Sequence, residues 1–468
     1  MSTLEDLYTS LTNYSSSHRL FDGYYEGTKQ IPKLGIAIPP VLQRVCTVVG
    51  WPGTCVDVLE ERLDFQGWDD DGKFDLEDIY NENSIAAESS MANTDCLLYG
   101  IAYIAISTGT GKDEPKALIT AESPKHTTGV WNRRTRRLDV AFTRYEDEAG
   151  KFTKAALFEE NTTTYYRRNS ETAPWVVESV DNHKLGRVPV IRLVNRGRAG
   201  RREGKSEITR AIRSYTDTAV RTLLGMETNR EFNSSPQRYV LGAKERAFTD
   251  ENGNPIPGWK SIMGSVWNLE RDKEWVNDNG GEGLPQVGQF AANPPGPYLE
   301  QVRGLSLMVS AETGMPPSYL GFATDNPPSA DSIRALEARL VKRSERRIGS
   351  WDPGYTEVGQ IAALVSTGRL PKRSEIVTSW RDPATPTKAA DADRASKLVA
   401  AQILPADPQV AREMAGLTPK QIRQLEKDAT KAEFKQVLLG GMTNVPPATP
   451  AQPVNPASSN GVVVPQQQ

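Results

Sequence analysis

The sequence predicts an α+β protein of several domains, and three observations support that prediction. Short runs of β-type residues fill positions 100–195, and a long run with helical periodicity follows them directly. A second, smaller β-rich stretch then separates this helix from further helical runs. With 468 residues, the chain is also longer than a single hydrophobic core usually supports.

The N-terminal hundred residues favour helix before the first strand. Helical spacing of Leu4, Leu7, Tyr8 and Leu11 predicts a first helix, with a tight turn at FDGYYEG. The stretch from Leu76 to Leu98 favours helix as well. LLYGIAYIAIST (97–108) is rich in β-branched and aromatic residues and ends before Gly109, which predicts a strand.

Six short runs separated by Gly, Asn, Asp and Pro make up the β-rich region. Their alternation predicts an antiparallel arrangement with partly solvated faces. The runs are ALITAESPKHTTGVWN, LDVAFTRYE, FTKAALFEE, TTTYYRRN, WVVESVDN and RVPVIRLVN.

A long helix is predicted after the loop RGRAGRREGK. Ser206 is its expected N-cap, with Glu207 in the first turn, and apolar residues recur at three- and four-residue steps until about Phe232. Residues 236–296 return to short strands and turns, such as QRYVLGA and GEGLPQVGQF.

Two more helices follow this insert. The second long helix covers 298–313 and is stopped by Gly314 with two prolines behind it. A third, amphipathic helix starts at the N-cap Ser329. Residues 385–440 read as a helical appendix, and the aperiodic segment from Val445 onward predicts a disordered tail.

The composition restricts the classes of function. No stretch approaches the roughly 18 apolar residues of a membrane span, and the polar N-terminus does not resemble a secretory signal. We therefore expect a protein that is made in the cytoplasm and does not enter a membrane. Its formal net charge of -3 argues against a large basic surface that grips DNA permanently.

Two motifs resemble ligand sites but depart from the required pattern. STGTGKDE lacks the first glycine of a phosphate-binding loop, since Ile106 stands there, and Asp113 replaces the final hydroxyl residue. WDDDGKFDLED places Gly67 at the first ligand position of a calcium loop and Asp78 at the last. A hairpin turn and an acidic turn before a helix are the better interpretations.

Catalytic groupings are not recognisable in the sequence. It contains neither GxSxG nor HExxH, and its three histidines and three cysteines are scattered. We therefore expect no catalytic site, no metal and no cofactor, although catalytic groups can converge from distant positions.

Basic clusters are the remaining candidate sites. Arg133 to Arg137 form one cluster, which we interpret as a solvated turn. The candidates for contact with DNA or with a neighbouring subunit are Arg196, Arg198, Arg201, Arg202, Lys342, Arg343, Arg346 and Arg347.

Three local sequences resemble the portal proteins of long-tailed double-stranded DNA bacteriophages, the portal family typical of phages of Gram-positive bacteria. They are GKSEITRAIRSYTDTAVRTLLGMETNREFNSSPQRYVLG, VGQFAANPPGPYLEQVRGLSLMVSAETGMPPSYLG and NPPSADSIRALEARLVKRS. The order of elements agrees with that family over roughly residues 20–440.

The resemblance implies a portal-type fold with named parts. These are a wing (1–203 and part of 329–384), a first stem helix (204–235), a clip (236–296), a second stem helix (297–320), a tunnel loop (321–328), a kinked tunnel helix that begins at 329, a helical crown (385–444) and the tail (445–468).

The predicted tunnel loop would face the DNA. It comprises Gly321, Phe322, Ala323, Thr324, Asp325, Asn326, Pro327 and Pro328. It contains no lysine or arginine, which suits a channel through which DNA must slide, because each phosphate held by a cation opposes movement. Without the resemblance, the segment would read as an ordinary connector between helices.

The function implied by the resemblance is mechanical. A ring, usually of twelve subunits, would lie at one capsid vertex of the virion and pass double-stranded DNA during packaging and ejection. The implied partners are the terminase large subunit, a head-tail adaptor, and the major capsid and scaffolding proteins. The alternatives are another head-tail connector or capsid protein and, from a different class, a nucleic-acid-processing enzyme.

Overall fold

The structure is a computed structural model, and it divides into two compact units, Met1–Ala384 and Thr385–Gln468. It describes residues 4–29, 48–109, 111, 114–233, 238–241, 254, 286–289, 291, 293–321, 329–384, 388–403, 409–415, 422 and 425. Helices and antiparallel sheets are combined in the first unit, which confirms the α+β class.

Seven helices are described in the first unit, with short 3₁₀ turns at Pro317–Leu320 and Arg373–Glu375. They are α1 (Leu4–Tyr25), α2 (Trp51–Glu60), α3 (Leu76–Glu82), α4 (Ile85–Tyr99), α5 (Arg210–Asn233), α6 (Gly296–Thr313) and α7 (Ala330–Thr367).

The described strands of the first unit are β1 (Phe65–Asp69), β2 (Ile101–Thr108), β3 (Ala117–Glu122), β4 (Thr127–Asn132), β5 (Arg137–Glu146), β6 (Phe152–Phe158), β7 (Thr163–Arg167), β8 (Val176–Asp181), β9 (Val190–Val194), β10 (Arg238–Leu241), β11 (Gln286–Gln289) and β12 (Val377–Trp380). They confirm β structure in the runs expected between residues 100 and 195 and in QRYVLGA and GEGLPQVGQF, whereas β1 and β12 were not predicted and ALITAESPKHTTGVWN forms two strands.

Pairing between these strands is antiparallel throughout the described residues. A five-stranded sheet has the order β4-β5-β6-β7-β8, and a three-stranded sheet has the order β3-β2-β9. β1 pairs with β12, and β10 pairs with β11. The β2–β3 pair flanks the segment STGTGKDE, and Thr108 lies opposite Ala117, so the predicted hairpin is confirmed.

The core of the first unit is built around the middle of α7. Trp351 and Tyr355 are fully buried, and the Tyr355 hydroxyl donates to Oδ1 of Asn93 at 2.8 Å. The Trp68 indole N–H donates to the Tyr355 carbonyl at 2.7 Å. Pro353 lies between these two residues inside the helix, where it removes one backbone N–H donor. Burial of such large side chains contributes roughly 1.5–3 kcal/mol each.

Three predicted boundaries differ from the structure. The helical stretch 76–98 is two helices, because the chain turns at Ser84 with φ 51°. The strand expected over 97–108 starts only at Ile101, since the preceding residues end α4 and Gly100 caps it in the left-handed region. α1 continues to Tyr25, through most of the turn predicted at FDGYYEG.

The acidic segment WDDDGKFDLED folds as a turn organised by the buried carboxylate of Asp70. This carboxylate accepts the backbone N–H groups of Gly72 at 3.0 Å and Phe74 at 2.7 Å. α3 begins directly afterwards, at Leu76. The interpretation as an acidic turn before a helix is therefore confirmed.

Asp70→Ala should lower the free energy of unfolding by about 1–3 kcal/mol, because buried backbone donors lose their acceptor. Asp71→Asn is the matched control: Asp71 is exposed, its side chain pairs within the described residues only with the exposed Lys73, and asparagine tolerates its positive φ. Urea denaturation of both variants measures the difference. Equal stability of the two variants would contradict the role given to Asp70.

The second unit contains two described helices, α8 (Lys388–Ala400) and α9 (Gln409–Met414), which contact each other. Ala395 and Ala411 are buried. This confirms helix in the predicted appendix at these positions. The helix start expected at Thr418–Pro419 and the tail from Val445 lie outside the described residues.

Candidate assembly and channel site

The two helices expected to form a stem, α5 and α6, pack against each other. Their contact face is made of small and aliphatic residues: α6 buries Val302, Ser306 and Val309. On α5, a Cβ at Gly225 would lie 3.4 Å from the ring of Tyr298, so the helices approach closely there. α6 ends at Gly314 with φ 75°, as the sequence predicts.

Three other apolar residues of α6 are only half covered in the described chain. Leu299, Leu307 and Met308 are each about half exposed, at 52%, 48% and 51%. Ile333 and Leu336, in the first turns of α7, are exposed to a similar degree. Leu340, further along α7, is fully buried. These exposed apolar side chains of α6 and of the start of α7 are therefore open to a partner.

α5 begins at Arg210, and Thr209 caps it. The Thr209 hydroxyl accepts the backbone N–H of Ile212 at 3.3 Å, the typical N-cap geometry. The prediction that Ser206 is the N-cap is therefore wrong. Ser206 instead accepts from the Ile208 N–H at 3.0 Å, in a turn that precedes the helix. The helix starts later than predicted because buried ion pairs hold the Glu207 side chain outside the first turn.

Glu207 lies at the centre of a buried ion cluster. Glu207 is only 1% exposed to solvent. Oε2 lies 2.5 Å from Nη2 of Arg343 and 3.5 Å from Nη1 of Arg196, while Oε1 pairs with Arg347. Nδ2 of Asn195 also donates to Oε1, at 3.0 Å. We call Asn195, Arg196, Glu207, Arg343 and Arg347 the Glu207 cluster.

The electrostatics of the Glu207 cluster keep its acid ionised. Burial alone would raise the pKa of Glu207, but the charges of Arg347, Arg343 and Arg196 outweigh it and hold that pKa below its usual value. The Arg347 guanidinium also donates from Nε to Asn195 Oδ1 at 3.1 Å. Both oxygens of the carboxylate are thus matched by donors.

The Glu207 cluster joins three parts of the fold. Asn195 follows β9, Glu207 precedes α5, and Arg343 and Arg347 project from α7. Asn195 also donates to the Lys205 carbonyl at 2.8 Å, and the Trp351 indole donates to the Val194 carbonyl at 3.0 Å. The cluster therefore fixes the start of the α5–α6 pair against the sheet and against α7.

The predicted basic candidates divide into two groups. Arg343 and Arg347, with Arg196 at longer distance, are used inside the chain by Glu207. Lys342 forms an exposed pair with Glu345 at 2.6 Å, and Arg346 is exposed. Arg198 and Arg201 form a small backbone bridge, and Arg202 follows in the same exposed loop. Contact with DNA or another subunit stays a prediction for this second group.

A second cluster brackets the predicted tunnel loop. Arg62, at the end of α2, lies 3.1 Å from Oε1 of Glu337 on α7, and the Tyr319 hydroxyl donates to the same oxygen at 2.5 Å. Gly321, the first residue of the predicted loop, is left-handed with φ 89°. Phe322 to Pro328 lie outside the described residues, as does most of the predicted clip. Sequence reasoning missed this cluster because Arg62 is remote along the chain.

The described part of the chain offers few candidates for a metal or a reactive thiol site. No group of three or more His, Cys, Asp or Glu side chains there could hold a metal ion. Cys55 and Cys96 are buried and free, and burial raises the pKa of both thiols. Among the described helices, none has the length and apolar character needed to cross a membrane.

Comparison with known proteins identifies similar chains. Residues 18–433 match the family described as "Phage portal protein, SPP1 Gp6-like". A portal protein of Mycobacterium phage D29 is 30% identical over 467 residues, which covers 96% of this chain and 93% of the relative. A portal protein of Mycobacterium phage L5 is also 30% identical, with 96% and 92% covered.

Proposed function

This chain belongs to the SPP1 Gp6-like phage portal protein family, and we propose from that premise how its parts perform the work of a portal. Portal proteins provide the channel for DNA packaging, and this is the function of the chain. The single observation that supports this best is the family match over residues 18–433. The finer assignments below are our proposals.

We propose that a dozen or so copies close into a ring at one capsid vertex of the virion. The α5–α6 pair would be the stem, with residues 236–296 as the clip and 385–444 as the crown. The neighbouring, half-exposed Leu307 and Met308 on α6 support a subunit interface there, since monomeric proteins rarely leave apolar surface clustered in water. A rotationally closed ring requires such head-to-tail contacts.

Further partners follow from the same proposal. The clip would dock the terminase large subunit during packaging and then a head-tail adaptor, and the outer part would contact the major capsid and scaffolding proteins. Terminase would hydrolyse ATP, and this chain would contribute no chemical step. DNA contact would be transient and independent of sequence, which agrees with a formal net charge of only -3.

We propose that residues 321–328 face the DNA, because the segment lacks lysine and arginine and has one acid, Asp325. Ala323→Lys adds one cation per subunit and therefore a belt of charge around the channel. Packaging by the terminase should become slower, and the defect should shrink as salt is raised, because counterion release strengthens phosphate binding at low salt.

Packaging of DNA into empty capsids, followed by nuclease protection at several salt concentrations, measures this effect. Ala323→Gln is the matched control, because it adds a polar side chain without charge. If the lysine variant packages at the wild-type rate at low salt, the segment does not face DNA. A defect shared equally by the glutamine variant would indicate a steric effect and contradict the charge argument.

A further inference from the structure

An arginine-rich groove of about 790 Å³ opens beside the β4 edge of the five-stranded sheet. It lies between the β4–β5 hairpin, β9, the loop after β9 and the middle of α7. Five arginines that line this groove form no ion pair with a carboxylate in the described chain. We call this groove the arginine groove, and the five residues are Arg136, Arg192, Arg198, Arg202 and Arg373.

The charge of the arginine groove is not balanced from within. Glu357 is the acid among its described lining residues, and it is already shared by Arg137 at 2.5 Å and Arg187 at 3.9 Å. Arg192 lies with its guanidinium carbon 4.0 Å from the centroid of the Trp131 ring. Its Nε has no hydrogen-bond partner in the described structure, and burial lowers the pKa of Arg192. Glu203 acts on Arg192 only from beyond ion-pair distance, so the desolvated cation remains costly, and this favours an anionic occupant.

The floor of the arginine groove is apolar, and this restricts the occupant further. Val188, Val190, Leu193 and Pro353 line it below the arginines. The phosphate backbone of DNA would match the arginines but not this floor. A protein segment that carries both carboxylates and aliphatic side chains matches both parts of the groove.

β8 has this composition and forms the opposite edge of the same sheet. All six of its residues, VVESVD, are exposed. Val176, Val177 and Val180 are 64%, 53% and 51% exposed, beside the acids Glu178 and Asp181. The only ion pair of these acids in the described chain joins Glu178 to Arg167 at 3.7 Å, and both side chains are largely in water. Such a pair is weak and can be exchanged for another.

The pairing of β8 with β7 indicates which kind of contact β8 can make with another subunit. Tyr165 lies opposite Ser179 and Tyr166 opposite Val177, so Glu178 is an extra, bulged residue. A bulge and a charge on an edge strand disfavour plain backbone pairing with another sheet. Contact through side chains inserted into a groove is still available.

We propose that β8 of one subunit docks in the arginine groove of the next subunit of the ring, with Glu178 and Asp181 at the arginines and Val177 and Val180, which share one face of the strand, toward the floor. The proposal rests on the ring proposed above. β4 and β8 are four strand spacings apart, about 19 Å, at opposite edges of the sheet. A closed ring brings two different edges of neighbouring subunits together.

The first experiment reverses charge on the strand. Glu178→Lys combined with Asp181→Lys should raise the subunit concentration needed for ring formation by about tenfold or more, because like charges would meet at the groove. Addition of Arg198→Glu and Arg202→Glu in the same chain should restore much of the lost ring formation. Glu61→Lys with Glu82→Lys is the matched control, with the same change of charge at exposed positions on other elements.

The second experiment detects the contact directly in the full-length ring. A chain with Glu178→Cys and Arg198→Cys should give a ladder of covalent multimers under mild oxidation. Each single cysteine variant gives the background from Cys46, Cys55 and Cys96. The thermal unfolding of the monomeric variants should equal that of the wild type, since the changed side chains are exposed.

The outcomes separate this interface from the ring itself. A wild-type chain that forms no ring contradicts the proposed function first, and this proposal with it. If the wild-type ring forms but the lysine variants assemble equally well, or the double cysteine variant gives no ladder above background, the proposal is overturned alone. It is also overturned if Arg198→Glu with Arg202→Glu leaves the ring intact and weakens only DNA binding, because the groove then serves DNA.

Discussion

Replacement of Glu207 by alanine is expected to lower the free energy of unfolding by about 3–5 kcal/mol, the cost of breaking a buried ion pair from one side. The side chain is buried, and Arg343 and Arg347 would keep their charges without a carboxylate between them. Neither arginine can deprotonate to relieve the cost. Urea denaturation of the monomeric chain, followed by circular dichroism, measures the loss.

The control for Glu207 lies on the surface of α7. Glu345→Ala breaks the exposed pair with Lys342 and should change the unfolding free energy by less than about 0.5 kcal/mol. A compensating triple variant provides a second test. Glu207→Leu with Arg343→Met and Arg347→Met should recover much of the lost free energy of unfolding, because apolar groups can replace a buried ionic cluster. If Glu207→Ala costs no more than Glu345→Ala, the cluster does not fix the start of α5.

Leu307→Lys combined with Met308→Lys is expected to raise the subunit concentration for ring formation by about a hundredfold or more. Both side chains are about half exposed on α6, and a ring contact would bury them. Lost burial and two charges at an apolar contact together cost at least about 3 kcal/mol, which corresponds to more than a hundredfold in association. Sedimentation velocity over a range of concentrations measures the shift.

Met91→Lys controls for the general effect of a lysine at an exposed apolar position. Met91 is 52% exposed and lies on α4, away from the stem helices. It should leave ring formation unchanged, and all variants should keep the circular dichroism spectrum of the wild type. Rings of the α6 variant at wild-type concentration would mean that this face of α6 lies outside the subunit interface.

Most elements of the fold were predictable because local patterns determine them. The antiparallel strands follow from alternation and from the turn residues between them. Ser329 caps α7 as predicted, and its hydroxyl accepts the Ser332 N–H at 3.2 Å. Gly314 ends α6 in the left-handed region, as its position before two prolines indicates. Such features depend on a few neighbouring residues, and the sequence contains all of them.

The Glu207 cluster was not predictable in the same way, because tertiary contacts override local rules. Ser206 with Glu207 is a good helix start by propensity, yet the ion pairs with α7 hold Glu207 outside the helix. The sequence analysis makes Arg343 and Arg347 candidates for contact with DNA or a neighbouring subunit. Arg343 and Arg347 are in fact one turn apart on the face of the buried Leu340 and Ser344. That spacing is a signal by which two inward-facing arginines could have been recognised.

Native mass spectrometry of the purified wild-type chain, supported by negative-stain electron microscopy, tests the central claim most directly. We expect a single closed species of about twelve times 51.6 kDa with a central hole. Removal of the α6 apolar residues or reversal of the β8 charges should shift that species toward the monomer. A wild-type chain that stays monomeric at high concentration, even with scaffolding protein added, would contradict the ring and the channel assigned to it.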